Sequence, residues 1–265
     1  MVKKFKVLGI IPARMASSRF PSKPLVKIYN IPMIGHCYLR SKLSKLLTDC
    51  YVATPDLEIK NYIKSINGKY VMTSHKHKMC HDRVVEAVKK IEKNKKIKYD
   101  IIVNIQGDLP MVFPDMIDQV ITPLIKSRLV KTTTMKDQIF DKKDFFDPNR
   151  VKVITDINND LIIVSREPIP SSKKFNKSFK KYKHVALRAY KRKFFKQISN
   201  LKMTPTEKIE AIDELRLIEN GIKIRTVFTK KITETVDTIQ DLKKVIGMMK
   251  HDKLRKKYAN TNLAK

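Results

Sequence analysis

Acidic residues are scarce in this chain: 26 Asp and Glu stand against 57 Lys and Arg, a formal charge of +31 over 265 residues. An excess of that size invites a nucleic-acid partner. The basic residues nevertheless spread through KKIEKNKKIK, KSFKKYKH and KHDKLRKK and do not collect on one face. That pattern reads as lysine on solvent-facing helix positions, with a field that also favours small anionic substrates. A nucleic-acid-binding protein stays as a rival, carried by Phe175, Phe179 and Tyr182 interleaved in the basic stretch 173–183. Cysteine is scarce too. Cys37, Cys50 and Cys80 are odd in number and show no C-x-x-C spacing, which argues against a disulfide framework or a zinc site. No apolar run exceeds strand length; VLGII and IIVNI are far too short to span a bilayer. The start, MVKKFKVLGI, lacks the length and the cleavage site of a signal peptide, so a cytoplasmic protein without a membrane partner is expected. Glycine occurs six times, and neither GxxxxGK[ST] nor GxGxxG is present.

What is present is alternation. FKVLGII (5–11) is a continuous apolar run stopped by Pro12, the mark of a buried parallel strand. A helix is expected over 32–46, a strand over 50–54, a helix over 55–66 stopped at Asn67-Gly68, and a strand over 69–73. A helix over 81–93 and a strand over 100–106 follow. Strand and helix in turn with short connections imply α/β architecture: a mostly parallel central sheet covered by helices on both faces. Ligands of such sheets bind beyond the carboxyl ends of the strands. The second half is more mixed. Strands are expected at 130–135, 150–156, 161–167, 184–190 and 223–229. One amphipathic helix is expected over 206–220 and another over 237–250, with a mobile basic loop at 173–183 and a frayed tail after His251.

Five constellations carry chemistry. IIPARMASSRFPSKPL (10–25) sets Arg14, Ser17, Arg19 and Lys23 just past the first strand, between prolines; backbone amides and cationic side chains together cradle phosphates, and a plain basic surface loop is the alternative. NIQGDLP delivers Asp108 directly after a buried strand, where it suits Mg²⁺ or, more plainly, a turn or cap. Asp237 precedes a helix and could cap it. His75, His77 and His81 are spaced for no common zinc helix. Arg166, His184 and Arg188 add cationic donors, and Glu210 and Glu214 fall at i, i+4 on one helix face, with an exposed face and surface pairing as the plain alternative.

These segments, in order, resemble the 3-deoxy-manno-octulosonate (Kdo) cytidylyltransferases: IPARMASSRFPSKPL, PMIGH, YVAT, VNIQGD, PNRVKV, the SR and PIP of 165–170, His184 with Ala189-Tyr190, and the LR and IENG of 215–221. The resemblance implies a Rossmann-like nucleotidyltransferase fold in one domain over 1–250, with 1–135 mainly nucleotide-binding, 150–220 a small mixed sugar-binding and dimerisation region, and 251–265 a basic tail. It implies cytidylyl transfer from CTP to the anomeric hydroxyl of Kdo, for lipopolysaccharide synthesis, in a homodimer. Arg14, Ser17, Lys23, Arg83 and Gln106 would bind nucleotide, with Lys23 also catalytic. Asp108 and Asp237 would be catalytic and hold Mg²⁺. Arg166, His184, Arg188, Glu210 and Glu214 would face the sugar. The chain departs from the family at Cys80, where a glycine is usual, at Leu109 for a glutamate, at Arg188 for a tyrosine and at Glu214 for a glutamine. The last two raise an alternative substrate, the 8-amino-3,8-dideoxy sugar, whose ammonium Glu214 could pair. The competing account is that Arg188 and Glu214 pair with each other and the sugar is ordinary Kdo.

Overall fold

A computed structural model describes residues 5–16, 20–77, 79–171 and 180–259. It divides into two compact units, Met1–Asp118 with Thr233–Lys265, and Gln119–Ile232.

In the first unit the apolar runs become strands β1 (Val7–Pro12), β4 (Asp49–Thr54), β5 (Tyr70–Met72) and β6 (Ile101–Ile105), with β2 (Lys27–Ile28) and β3 (Ile31–Pro32) as a small separate antiparallel pair. The four long-range strands lie parallel in the order β6-β1-β4-β5. β1 and β6 are buried at every residue, as their uninterrupted apolar sequences require. Helices α1 (Met33–Ser41), α2 (Leu57–Ser65) and α3 (Cys80–Lys95) pack against this sheet. α1 stops five residues short of its expected end, whereas α2 turns off at Asn67, in the left-handed region at φ 51°, as anticipated. α4 (Pro114–Lys126) carries the chain out of the unit; the sequence reading marked no element there. The chain returns as α9 (Ile239–Met249) and α10 (Lys253–Ala259).

α10 corrects the expectation of a frayed tail. Tyr258 is buried, and its hydroxyl lies 2.6 Å from Nδ1 of His36, itself buried. Asp252 forms an ion pair with Arg40, a side chain with no exposure. Burial drives the His36 pKa down to about 4, so the ring stays neutral, able to exchange one hydrogen bond with Tyr258 and one with the Ile28 carbonyl. Residues 260–265 lie outside the described residues.

The second unit is a mixed sheet, as expected. β11 (Arg225–Phe228) is parallel to β7 (Thr132–Ile139); β7 pairs antiparallel with β10 (Lys181–Lys191), β10 with β8 (Lys152–Thr155), and β8 with β9 (Leu161–Ser165). Short helices α5 (Lys142–Phe146) and α6 (Arg192–Ile198) flank these strands in sequence. Most of the expected basic loop, 172–179, lies outside the described residues, and its last residues belong to β10.

The single helix expected over 206–220 is in fact two, α7 (Pro205–Glu210) and α8 (Asp213–Glu219). Ala211 breaks it, in the left-handed region at φ 54°. The reason is tertiary. Arg216 donates to both oxygens of Glu207, at 2.8 and 2.6 Å, inside the unit. In a continuous helix those residues would be about 13 Å apart along the axis, so the pair can close only if the helix folds back. Glu210 and Glu214 therefore do not share one helix face.

Candidate active site

The carboxyl ends of the parallel strands place the first group of candidates. Past β1, Ala13 donates to the Ala53 carbonyl, and the Met15 amide donates to Asp56 Oδ2 at 2.7 Å. Asp56, just beyond β4, so anchors the start of the basic loop, and Arg14 is held exposed beside it. Ser17 lies outside the described residues. Lys23 opens a short 3₁₀ turn, Lys23–Leu25, preceded by Ser22 at φ 57° and stiffened by buried Pro24. Its backbone is fixed while its side chain projects from the turn.

Lys23 Nζ meets three oxygens: Asp108 Oδ2 at 2.9 Å, the Val236 carbonyl at 2.8 Å, and Asp237 Oδ1 at 3.4 Å. Asp108 arrives there because β6 ends at Ile105 and Gly107 turns the chain. Asp237 arrives because the Val236 amide donates to the Asp108 carbonyl at 2.9 Å, docking the distant segment on the strand end. Capping does not claim Asp237. α9 is capped by Thr238, whose hydroxyl accepts from the Asp241 amide, while Asp241 accepts from the Thr238 amide. Burial alone would lower the Lys23 pKa, but the two carboxylates outweigh it and the ammonium ends above its ordinary value. The cation is thus firmly charged, in a nest of oxygens.

Arg83 is only 3% exposed. Its guanidinium donates to Thr73 Oγ1 at 2.7 Å and to the carbonyls of Ser74 and His77 at 3.2 and 3.3 Å. It braces the segment that follows β5 from the first turns of α3. Burial, then the positive Arg14, lowers its pKa, which places the two arginines within each other's field. His77 faces Glu86 at 2.6 Å, and Glu86 also accepts from the Ser74 amide. Gln106, half-buried, donates to Cys80 Sγ at 3.4 Å. The Val236 carbonyl and the Cys80 thiol are contacts that sequence did not assign, and a backbone carbonyl leaves no sequence signal. Asp56 is legible by its place just after the second strand of the parallel sheet.

The second unit gathers the remaining candidates into two clusters. In one, Glu210 accepts from Ser165 Oγ at 2.8 Å and from the Arg166 amide at 3.0 Å, while Arg166 Nε donates to the Glu210 carbonyl at 2.8 Å. In the other, Glu214 Oε1 lies 3.1 Å from His184 Nε2 and 3.2 Å from Arg188 Nε. Arg188 also pairs with Asp213 at 2.9 Å, and His184 Nε2 lies 2.7 Å from Thr134 Oγ1. A β-bulge builds this cluster. His184 faces Lys136 on β7 and Arg188 faces Thr134, so residues four apart on β10 become neighbours two positions apart on the partner strand. The Glu214 side chain is 2% exposed. Burial would raise its pKa, yet Arg188 and His184 hold it down to about 2. Arg188 and Glu214 therefore pair with each other.

A family model described as Cytidylyltransferase matches residues 8–224. The 3-deoxy-manno-octulosonate cytidylyltransferase of Thermodesulfovibrio yellowstonii is 41% identical over 240 residues, 88% of this chain and 94% of the relative. That of Geobacter metallireducens is 38% identical over 251 residues, 91% and 96% of the two chains. Among solved structures, a CMP:2-keto-3-deoxy-manno-octonic acid synthetase complexed with CTP aligns with a TM-score of 0.82 at 33% identity, over 92% of this chain and 98% of the other. That likeness agrees with the Rossmann-like α/β fold expected from the sequence.

Proposed function

This chain belongs to the 3-deoxy-manno-octulosonate cytidylyltransferase family, and on that premise we propose that it transfers the cytidylyl group of CTP to the anomeric hydroxyl of 3-deoxy-D-manno-octulosonate, releasing pyrophosphate. The observation that carries this is the convergence of Asp108 and Asp237 upon Lys23.

In such a transfer the sugar oxygen forms a bond to the α-phosphorus while the bond to pyrophosphate breaks, and the hydroxyl proton is lost. No covalent bond to the protein is needed, so the chain contributes position and charge. Lys23, kept cationic, and Arg14, exposed past β1, are suited to the triphosphate, with Ser17 beside them in sequence. Gln106 presents its amide at the carboxyl end of β6. Arg83 serves the nucleotide site by bracing the 73–77 segment, to which its guanidinium makes three hydrogen bonds.

The donor set fits a hard divalent cation. Two carboxylates and a carbonyl converge on one point, and Mg²⁺ in nucleotide enzymes takes one or two carboxylates, with substrate phosphates and water completing its shell. Asp108 and Asp237 would hold it; when bound, Mg²⁺ neutralises phosphate charge and orients the attacking hydroxyl. On the sugar side Arg166, His184, Arg188, Glu210 and Glu214 supply the charges. The pairing of Glu214 with Arg188 favours ordinary Kdo over its 8-amino analogue, because Glu214 already faces a guanidinium. The same proposal places the protein in the cytoplasm as a homodimer serving lipopolysaccharide synthesis. Among the described residues no helix is long and apolar enough to cross a membrane, and exposed Ile162, Ile163 and Phe228 on the second unit offer apolar surface to a second copy.

Pyrophosphate release tests the proposal. With CTP, Mg²⁺ and a panel of 3-deoxy acid sugars, release should require CTP, prefer Kdo, and vanish in Asp108→Ala. Release that is indifferent to the nucleotide base, or absent with every acid sugar, would overturn it.

A further inference from the structure

Lys23 is claimed by two partners of the same sign. Its ammonium sits 2.8 to 3.4 Å from three oxygens of the carboxylate nest, and its side chain is only 12% exposed. The triphosphate of a nucleotide needs that same ammonium. One point charge cannot neutralise both at hydrogen-bond distance. The two carboxylates, each about a quarter exposed, both lie within hydrogen-bond reach of the Lys23 ammonium.

We infer that Lys23 is the resident cation of the Asp108–Asp237 pair, and that it makes divalent-cation binding conditional on the nucleotide. This rests on the proposal that those carboxylates hold Mg²⁺. In the free protein a dication approaching the pair meets an ammonium already in its place. The nucleotide's phosphates draw Nζ away, which a flexible four-carbon stem permits while the Lys23–Leu25 turn and Pro24 keep the backbone fixed. With Nζ gone from between them and phosphate beside them, the two carboxylates then take the dication. Linkage makes the effect reciprocal: whatever nucleotide does for metal affinity, metal does for nucleotide affinity. The order nucleotide first, metal second follows from one side chain. It also spares the free protein from trapping a stray divalent ion.

The test is Mn²⁺ binding to the full chain without nucleotide, read from the electron paramagnetic resonance signal of free Mn²⁺. Lys23→Met and Lys23→Gln, each checked for an unchanged unfolding profile, should bind Mn²⁺ at least about tenfold more tightly than the parent, because a unit positive charge a few ångströms from the site is gone. Lys23→Arg, which keeps the charge, should stay weak, and adding Asp108→Asn to Lys23→Gln should erase the gain. If both neutral variants fold and bind Mn²⁺ no better than the parent, while the parent with a non-hydrolysable CTP analogue does bind it through Asp108, the resident-cation role is wrong and the metal assignment stands. If Asp108→Asn changes Mn²⁺ binding in none of these states, the metal assignment itself fails, and this inference with it.

Discussion

The backbone at Gly107 lies against the carbonyl of Pro12, so closely that a Cβ on Gly107 would fall 2.6 Å from the Pro12 oxygen. The oxygen is main chain and the Cβ position is fixed by the backbone, both at the carboxyl ends of adjacent parallel strands, so neither can rotate aside. This contact sets where Asp108, the next residue, leaves the sheet. Gly107→Ala is expected to push the 107–108 segment away from β1, costing about 1–3 kcal/mol of stability and lowering kcat by roughly tenfold to a hundredfold through misplacement of Asp108. Chemical unfolding and steady-state kinetics measure the two effects. Full activity in the variant would mean that Asp108 does not need this geometry.

The Arg188–Glu214–His184 cluster makes a prediction about acid. The folded pKa of Glu214 is about 2, against 4.5 for an unperturbed glutamate. A depressed carboxylate contributes stability that is complete above the unfolded value and is lost as pH falls through the folded one, so the window runs from about 4.5 down to about 2. Glu214→Gln should cost about 1–3 kcal/mol at neutral pH, since Arg188 loses one of its two carboxylates and keeps Asp213. It should also lose less stability than the parent between pH 6 and pH 3. Glu86, depressed to about 2 as well, is present in both proteins, and the difference between them isolates Glu214. Equal acid sensitivity in urea melts at the two pH values would contradict the pairing.

Ala211 holds a backbone conformation that a side chain disfavours, φ 54° with ψ 45°. Glycine adopts it without that cost. Ala211→Gly is expected to stabilise the protein by about 0.5–1 kcal/mol, net of the extra freedom of the unfolded chain, and to leave kcat unchanged. A lower melting temperature would show that the left-handed backbone at residue 211 costs the folded chain less than glycine's extra freedom costs on folding.

Some of the site is written in short segments. Asp108 is legible because a buried strand and a glycine precede it. Arg14 and Lys23 are legible because they follow the first strand among prolines. Asp237 is not legible in that way: next to Thr238 and ahead of a helix it reads as a cap, and only the docking of Val236 on Asp108 turns its carboxylate toward Lys23. Ala211 misleads outright, since alanine favours helix more than any other residue and the break is imposed by Arg216 reaching Glu207. Tyr258 looks like part of a basic tail until His36 supplies a buried partner.

Local pattern by itself determined the alternation of strand and helix, the parallel sheet of the first unit, and the strand ends where chemistry would lie, because burial on both faces is encoded in short continuous apolar runs and burial on one helix face in a spacing of 3.6 residues. Only the tertiary structure decided which charges meet. Lys23 finds its carboxylates 85 and 214 positions away, and Glu214 meets Arg188 and His184 of a bulged strand. No periodicity reports such encounters; they are fixed by how packed elements bring distant side chains within hydrogen-bond reach.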